Sequence, residues 1–352
     1  MGTMHASLVP RRHARARLAR TSVALFAVAA CLVATAVPTS AAPTDDRGLF
    51  GHADPTYDGV FRQAIAILGL DAAGRAPSAA ALGWLLNQQC ADGSFASYRP
   101  DTSLPCSSLA PEVGSQTDST ALAALALAQS ASPAARRASR RAMDWLVTTQ
   151  LPAGSWRYQG TGDANANSTG LAVFALRSTR PTSPAVRAGT RFLTTLTRDC
   201  SSGGGLPYQA GGPTDLMATA QGIWAFGAQV PIRSHPVRRN PTCTATVRDR
   251  LASPLTNAIM TSGLLPSSFG TGSDPGGTAS AVIGLAGMGV GQGAITRALS
   301  ALASPARRYA SPGTENPAGL GLFMMANAAA GRDPDRLGGV DLMAALLASE
   351  QR

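Results

Sequence analysis

Six segments of the chain are apolar on almost every side, and they alternate with six segments that are apolar on one face only. The apolar segments comprise residues 59–70, 121–127, 170–176, 216–228, 279–287 and 318–330. The amphipathic segments comprise residues 77–89, 134–149, 184–196, 244–260, 292–303 and 335–349. Helices that are apolar all round are buried, whereas amphipathic helices face solvent on one side. The alternation therefore predicts an inner layer of helices surrounded by an outer layer.

The amphipathic segments end in a repeated motif, in which a glycine-containing turn is followed by an aromatic residue. Its copies end at Phe95, Trp156, Tyr208 and, more weakly, Phe269. Glycine lets the chain turn at a helix C-terminus, and the aromatic side chain is expected to pack against the outer helix. Repeats spaced by roughly 40–60 residues are typical of stacked supersecondary units. We therefore predict an all-α fold, an (α/α)6 toroid with six inner and six outer helices. An open α-solenoid of the same units is the alternative.

The apolar segments open with residues whose side chains can accept hydrogen bonds from the first free N–H groups of a helix. These residues are Asp58, Asp118, Asn167, Asp215, Thr278 and Asn316. Ser-Thr follows Asp118 and Asn167, and a proline follows Asn316 at the first helical position, where proline is favoured. We predict that these side chains are helix caps and that the aspartates lie at one rim of the inner ring.

Residues 1–42 have the features of a secretory signal peptide. Five arginines between positions 11 and 20 precede an apolar run from Val23 to Val37, and small residues lead to Ala42. A basic region, an apolar core and a small-residue cleavage site are removed on export. A lipoprotein anchored through Cys31 is the alternative. We predict an N-terminal extension at 43–56, a single toroid domain at 57–352, and a secreted protein without a transmembrane segment after processing.

Arginine alone carries the formal net charge of +10, because the chain contains no lysine. Five arginines lie in the predicted signal peptide, so the exported chain would carry a charge of about +5. The remaining charges are dispersed, which is typical of a solvated surface rather than of a basic stripe that binds nucleic acid. No nucleic-acid partner is expected.

Four cysteines remain in the predicted exported chain, namely Cys90, Cys106, Cys200 and Cys243. An even number of cysteines in an exported protein favours disulfides, and four cysteines permit three pairings. Cys90 and Cys200 occupy the same place in two repeats, which favours the local pairs Cys90–Cys106 and Cys200–Cys243. The scarcity of histidine argues against a zinc site. No metal or cofactor is expected.

Residues 84–95 and 145–156, together with the helix openings at Asp118 and Asn167, resemble the prenyltransferase and squalene-cyclase repeat superfamily. The resemblance extends over 57–350 and implies the toroid fold, but it does not specify an activity. Class II terpene cyclases of this superfamily protonate a double bond with the middle aspartate of a DxDD stretch. The nearest stretch here, 116–119, is Gln-Thr-Asp-Ser. Asp118 therefore lacks the acidic neighbours that would tune a catalytic acid.

Few aromatic side chains are expected in the inner ring, where a cyclase would stabilise carbocations. They are Phe61, Phe174, Trp224, Phe226 and Phe323. The chain is also similar to intrinsic factor and transcobalamin, which place disulfide-bonded toroids in oxidising compartments and carry vitamin B12. These resemblances imply an exported binding protein rather than an enzyme.

We predict that a small molecule, of the isoprenoid or corrinoid class, or an envelope partner binds at the rim formed by the inner-helix N-termini. The candidate binding residues are Asp58, Asp118, Asn165, Asn167, Asp215, Trp156, Tyr158 and Tyr208, with Asp274 and Asn316 as further rim positions. A ring of helix N-termini predicts affinity for an anionic or polar group. The alternatives are a degenerate class II terpene cyclase with Asp118 as the acid, and an envelope scaffold.

Overall fold

The computed structural model describes residues 45–352, so the predicted signal peptide and Cys31 lie outside the described part of the chain. The inner helices are α1 (Gly59–Ala72), α3 (Thr117–Ala128), α5 (Ala166–Thr179), α7 (Leu216–Gly222), α9 (Pro275–Met288) and α12 (Pro317–Ala329). The outer helices are α2 (Ala79–Asn87), α4 (Pro133–Thr148), α6 (Pro184–Leu196), α8 (Val247–Ser262), α10 (Gln292–Ala301), α11 (Ala303–Tyr309) and α13 (Leu342–Ala348).

The inner helices form a closed ring. Each packs against the next inner helix along the chain, and α12 returns to pack against α1. The last contact is close because a Cβ atom on Gly69 would lie 2.5 Å from the Cα atom of Gly321. The predicted all-α toroid is therefore confirmed, and no helix among residues 45–352 is long and apolar enough to cross a membrane.

Three two-stranded antiparallel hairpins lie in the connections. They are β1 (Leu206–Pro207) with β2 (Thr214–Asp215), β3 (Leu265–Pro266) with β4 (Ser273–Asp274), and β5 (Arg336–Leu337) with β6 (Val340–Asp341). The predicted boundaries change at three places. Segment 292–303 extends into two helices that meet at Leu302, segment 335–349 begins with the third hairpin, and segment 216–228 becomes a 3₁₀ turn after Gly222.

The motif glycines allow each turn to approach the next outer helix. Gly154 has a φ of +89°, and a Cβ atom there would lie 2.6 Å from the carbonyl oxygen of Ala188 in α6. Glycine alone adopts such a backbone conformation without strain. The equivalent glycines, all with positive φ and a similarly close neighbour in the following outer helix, are Gly48, Gly93, Gly204 and Gly263.

One copy of the motif, which the sequence analysis placed in the N-terminal extension, is Gly48-Leu49-Phe50. The Gly48 N–H donates to the carbonyl of Gln351 over 2.8 Å, and the Gln351 N–H donates to the carbonyl of Leu49 over 2.9 Å. Phe50 is fully buried. The start of the described chain therefore supplies the turn that follows the last outer helix, and the two ends of the ring are joined by backbone hydrogen bonds.

A threonine in the first turn of an inner helix binds the preceding motif. The Thr169 hydroxyl accepts from the Trp156 N–H over 3.0 Å and donates to the Asn165 carbonyl over 2.7 Å. We call this pair of bonds the threonine link. It recurs at three further inner helices, with Thr120, Thr219 and Thr278.

The threonine link shows that two predicted caps were assigned two residues too late. Helix α3 begins at Thr117 after Gln116, and Asp118 makes no cap hydrogen bond. In α5 the cap is Asn165, which accepts from the Ser168 N–H over 2.8 Å, and Asn167 lies inside the first turn. The Ser-Thr pair resembles a capping sequence, but its threonine must lie one turn inside the helix to reach the motif.

The other predicted caps divide into two groups. Asp215 and Asn316 are confirmed, because they accept from the N–H groups three residues later over 2.7 and 2.8 Å. Thr278 lies within α9, whose cap is Asp274. Asp58 occupies the cap position of α1 without a side-chain cap bond and lies 3.7 Å from Arg62.

Both predicted disulfides are present. Cys90 pairs with Cys106 and Cys200 with Cys243, with S–S distances of 2.05 and 2.03 Å. Each bridge ties a motif turn to the loop that follows it along the chain or to the segment before α8. Closing such loops is expected to stabilise the fold, mainly by restricting the unfolded chain.

Candidate functional site

A cleft of about 520 Å³ opens at the rim where α3, α5 and α7 begin. We call it the rim cleft. Its lining residues are Asp118, Tyr158, Asn165, Asn167, Ser168, Tyr208, Asp215, Met217, Gln221, Ser268 and Phe269. Six of the eight binding residues predicted from the sequence therefore lie together, and their role in binding stays a prediction.

The repeat explains why three of the lining residues converge. Asp118, Asn167 and Met217 each lie two residues before the threonine that forms the threonine link of their helix. The same helical position in neighbouring, similarly oriented helices lines the same cleft. The sequence varies at this position from acidic to amide to apolar, whereas the threonine is retained.

Two tyrosines are fixed at the cleft by their own backbone. The Tyr158 carbonyl accepts from the N–H of Thr117, and the Tyr208 carbonyl accepts from the N–H of Ala166, each over 2.9 Å. Both side chains remain partly accessible, with 38% of Tyr158 and 43% of Tyr208 exposed. The bonds to α3 and α5 therefore hold the phenol rings beside the first turns of these helices.

Asp118 is the most perturbed acidic group of the cleft. Burial raises the pKa of its carboxyl group to about 6, and the nearby Ser168 hydroxyl opposes this rise in part. Its Oδ1 atom is inaccessible to solvent and has no hydrogen-bond partner of good geometry among residues 45–352. Burial, followed by the charges of Asp118 and Tyr208, raises the pKa of Tyr158 to about 12.

Two further buried polar atoms of the cleft lack partners within the described chain. Asn167 is 5% exposed; its Nδ2 group donates to Gln221 Oε1 over 2.6 Å, but its own Oδ1 is unpaired. The Ser168 hydroxyl, on a fully buried residue, is also unpaired. Buried polar groups usually have partners, so this group of unpaired atoms identifies the cleft as a candidate binding site.

Two predicted binding residues lie elsewhere. Trp156 is fully buried, and its indole N–H donates to the Leu146 carbonyl over 2.7 Å, so it belongs to the core. Asp58 lies beside Arg62 and does not line the rim cleft. Asp274 and Asn316 are helix caps that also lie outside the lining.

The sequence analysis missed Ser168, Met217, Gln221, Ser268 and Phe269 as lining residues. It had also assigned Tyr208 and Phe269 as the aromatic ends of two motifs. Leu206 and Leu265 hold those positions instead, because their N–H groups bind the threonine link. Phe269 is consequently 80% exposed at the mouth of the cleft. Counting back from the threonines would have revealed this register.

The lining of the cleft offers carboxylate, amide and hydroxyl oxygens as polar groups. Residues 45–352 contain no cluster of three or more histidine, cysteine, aspartate or glutamate side chains placed to hold a metal ion. The arrangement can accept hydrogen bonds from a ligand, and Asp118 can also exchange a proton near neutral pH.

The fold belongs to the class of terpene-cyclase-like helical toroids. A search of the solved structures finds a protein from Actinoplanes with a TM-score of 0.54 and 22% identity, covering 82% of this chain and 80% of that one. The type II terpene cyclase MstE from Scytonema matches with a TM-score of 0.50 and 18% identity, covering 80% of this chain and 81% of that one. MstE in complex with geranylgeranyl dihydroxybenzoate gives 0.50 and 17%, with coverages of 78% and 77%.

At these identities the likeness concerns the fold and not the activity. No protein-family model matches the chain, and a search of the curated proteins finds no match either.

Proposed function

We propose that this chain is an exported binding protein that holds a small organic molecule in the rim cleft. The observation that carries the proposal is the group of unpaired polar atoms, Asp118 Oδ1, Asn167 Oδ1 and Ser168 Oγ, that meet there. Leaving a buried polar group without a partner costs about 1–3 kcal/mol. A ligand that supplied those hydrogen bonds would recover much of this cost.

The size and composition of the cleft support the same proposal. Its volume of about 520 Å³ falls within the range typical of small-molecule sites. Met217, Phe269 and the two tyrosines supply apolar and aromatic surface around the polar group. The two disulfides fit an oxidising compartment, and the signal-peptide features of residues 1–42 support export.

The ligand class proposed from the sequence remains isoprenoid or corrinoid. The structural neighbour MstE, solved with geranylgeranyl dihydroxybenzoate, makes a prenylated aromatic compound a suitable first probe. An envelope protein is the other proposed partner. In that case the exposed aromatic side chains at the mouth would contact the partner instead of a small molecule.

A second candidate function is acid catalysis by Asp118. One specific observation favours it: the carboxyl group is not a helix cap and has a pKa of about 6, which suits a general acid near neutral pH. Gln116 and Ser119 replace the acidic neighbours of the cyclase motif, so the binding function is the better supported of the two.

The experiment expresses the chain with its own leader and purifies it from the culture medium. Native mass spectrometry and thermal shift then screen prenylated phenols, corrinoids and envelope glycans against the wild type, Asp118→Asn and the control Asp274→Asn. Saturable binding that weakens only in Asp118→Asn supports the proposal. Turnover that disappears in Asp118→Asn would replace it with the catalytic function. Absence of any small-molecule binding contradicts the proposal and leaves the scaffold alternative.

A further inference from the structure

We infer that the ligand of the rim cleft is an organic cation, an amine or quaternary ammonium group carried on an apolar body. This inference rests on the proposed binding function. It departs from the expectation, drawn from the ring of helix N-termini, that an anionic group binds there.

The first-turn N–H groups that would attract an anion are already occupied. The N–H of Thr117 donates to Tyr158 and that of Ala166 to Tyr208, both through backbone carbonyls. The caps take two more, since Asn165 accepts from Ser168 and Asp215 accepts from Ala218. Anion sites at helix N-termini depend on free N–H groups pointing at the ligand. The rim cleft does not offer these four to a ligand.

The charge of the lining is negative in a protein with an excess of arginine. Asp118 and Asp215 line the cleft, and no arginine does. Their proximity is felt by Tyr208, whose pKa is raised by burial and then by the charges of both aspartates. Two carboxylates without a basic neighbour in the lining form a site that a cation would neutralise.

The unpaired atoms are hydrogen-bond acceptors. Asn167 uses its Nδ2 group to bind Gln221, which leaves its Oδ1 oxygen directed to other donors. Asp118 Oδ1 accepts hydrogen bonds when the carboxyl group is ionised. An ammonium group has three donors and no acceptor, and it therefore complements this pair of oxygens better than a neutral hydroxyl group does.

Aromatic side chains complete the site. Tyr158, Tyr208 and Phe269 are among the most exposed large apolar side chains of residues 45–352, and all three line the rim cleft. The faces of aromatic rings attract cations, most strongly where water is partly excluded. Carboxylates at the base and aromatic rings at the mouth would bind the charged and apolar parts of one amphiphilic cation.

The test compares isosteric probes of different charge. Isothermal titration calorimetry at pH 7.5 measures binding of 2-phenylethylamine, benzyltrimethylammonium, neutral 2-phenylethanol and anionic phenylacetate to the full exported chain. We expect the cations to bind at least tenfold more tightly than the alcohol, with no binding of phenylacetate. Asp118→Asn should weaken cation binding tenfold or more, whereas the control Asp274→Asn should leave it unchanged.

Phe269→Ala provides a second variant, because an exposed loop side chain can be removed without unfolding the protein. It should weaken cation binding several-fold while the alcohol is unaffected. Equal affinity for the amine and the alcohol overturns the cation inference but leaves small-molecule binding intact. Failure of both cations to bind also overturns it, and the earlier screen of prenylated phenols, corrinoids and glycans then decides whether the proposed function survives. Circular dichroism verifies that each variant is folded.

Discussion

The first turns of α3 and α7 share their architecture but use their aspartates differently. Both place a threonine hydroxyl between the preceding motif and the start of the helix, through Thr120 and Thr219. In α7 the aspartate is Asp215, which caps the helix. In α3 the aspartate is Asp118, which lies two residues further along, makes no cap bond and is partly buried beside the rim cleft.

This difference separates what the fold needs from what the fold tolerates. A cap satisfies an N–H group and stabilises the helix. A buried carboxylate without a partner costs free energy unless a ligand or proton compensates it. Proteins commonly accept such costs at functional sites. We therefore expect substitutions of the shared elements to act alike in both helices, and substitutions of the two aspartates to act in opposite directions.

The largest expected effect concerns the motif glycines. Gly203 and Gly204 both have positive φ, but only Gly204 packs against α8, where a Cβ atom would lie 2.5 Å from the Arg250 carbonyl. Gly204→Ala should lower the free energy of unfolding by more than about 3 kcal/mol, because steric overlap adds to backbone strain. Gly203→Ala, in open space, should cost only about 1–2 kcal/mol. Chemical denaturation of the oxidised protein measures both; equal losses would contradict the close-packing account.

The threonine links are expected to have the next largest effect. Thr120→Val and Thr219→Val keep the side-chain shape but leave the N–H groups of Phe95 and Leu206 without their acceptors. Each substitution should cost about 1–3 kcal/mol, and the two losses should be similar because the links are equivalent. Thr261→Val in α8, an exposed threonine that bonds only within its helix, is the control. A loss in one link alone would show that the repeat equivalence is wrong.

The cap at α7 should have a smaller effect. Asp215→Ala removes the acceptor of the Ala218 N–H and should lower the stability by about 1 kcal/mol. Asp274→Ala, at the cap of α9, should behave in the same way. Urea denaturation at pH 7 tests both variants. A stabilising effect of Asp215→Ala would place this aspartate with Asp118 and remove the basis of the comparison.

The sequence was sufficient to predict the toroid because burial of helices follows from apolar periodicity, and the glycine turns follow from their conformational freedom. It also brought Asp118, Asn167 and Tyr158 into the candidate site. The roles were less predictable. Asp-Ser-Thr resembles a cap, and only the hydrogen bond from Phe95 to Thr120 shows that the helix starts earlier.

Two other features depend on contacts that are distant in sequence. The motif at Gly48 follows the last outer helix in space but precedes α1 in the chain, so a linear search for repeats did not assign it. Phe269 was taken as a motif end because it is aromatic, although Leu265 occupies that position. Leucine and tryptophan are equally suited to a fully buried position, so the type of side chain did not reveal the register.

The central claim, that Asp118 serves the cleft and not the fold, is tested most directly by the stability of Asp118→Asn as a function of pH. The pKa of Asp118 rises from 3.8 to about 6 on folding. The folded protein therefore holds this proton more tightly than the unfolded chain does, and wild-type stability should fall as the pH increases from about 4 to about 6.

Guanidinium denaturation from pH 4 to pH 8 should show little difference between the variant and the wild type near pH 4. Above pH 7 the Asn variant should be more stable by about 1–3 kcal/mol. Asp215→Asn, in which asparagine can still cap, should show no such pH-dependent gain. An Asp118→Asn variant that is less stable than the wild type at pH 8, or whose difference does not vary with pH, would contradict the account.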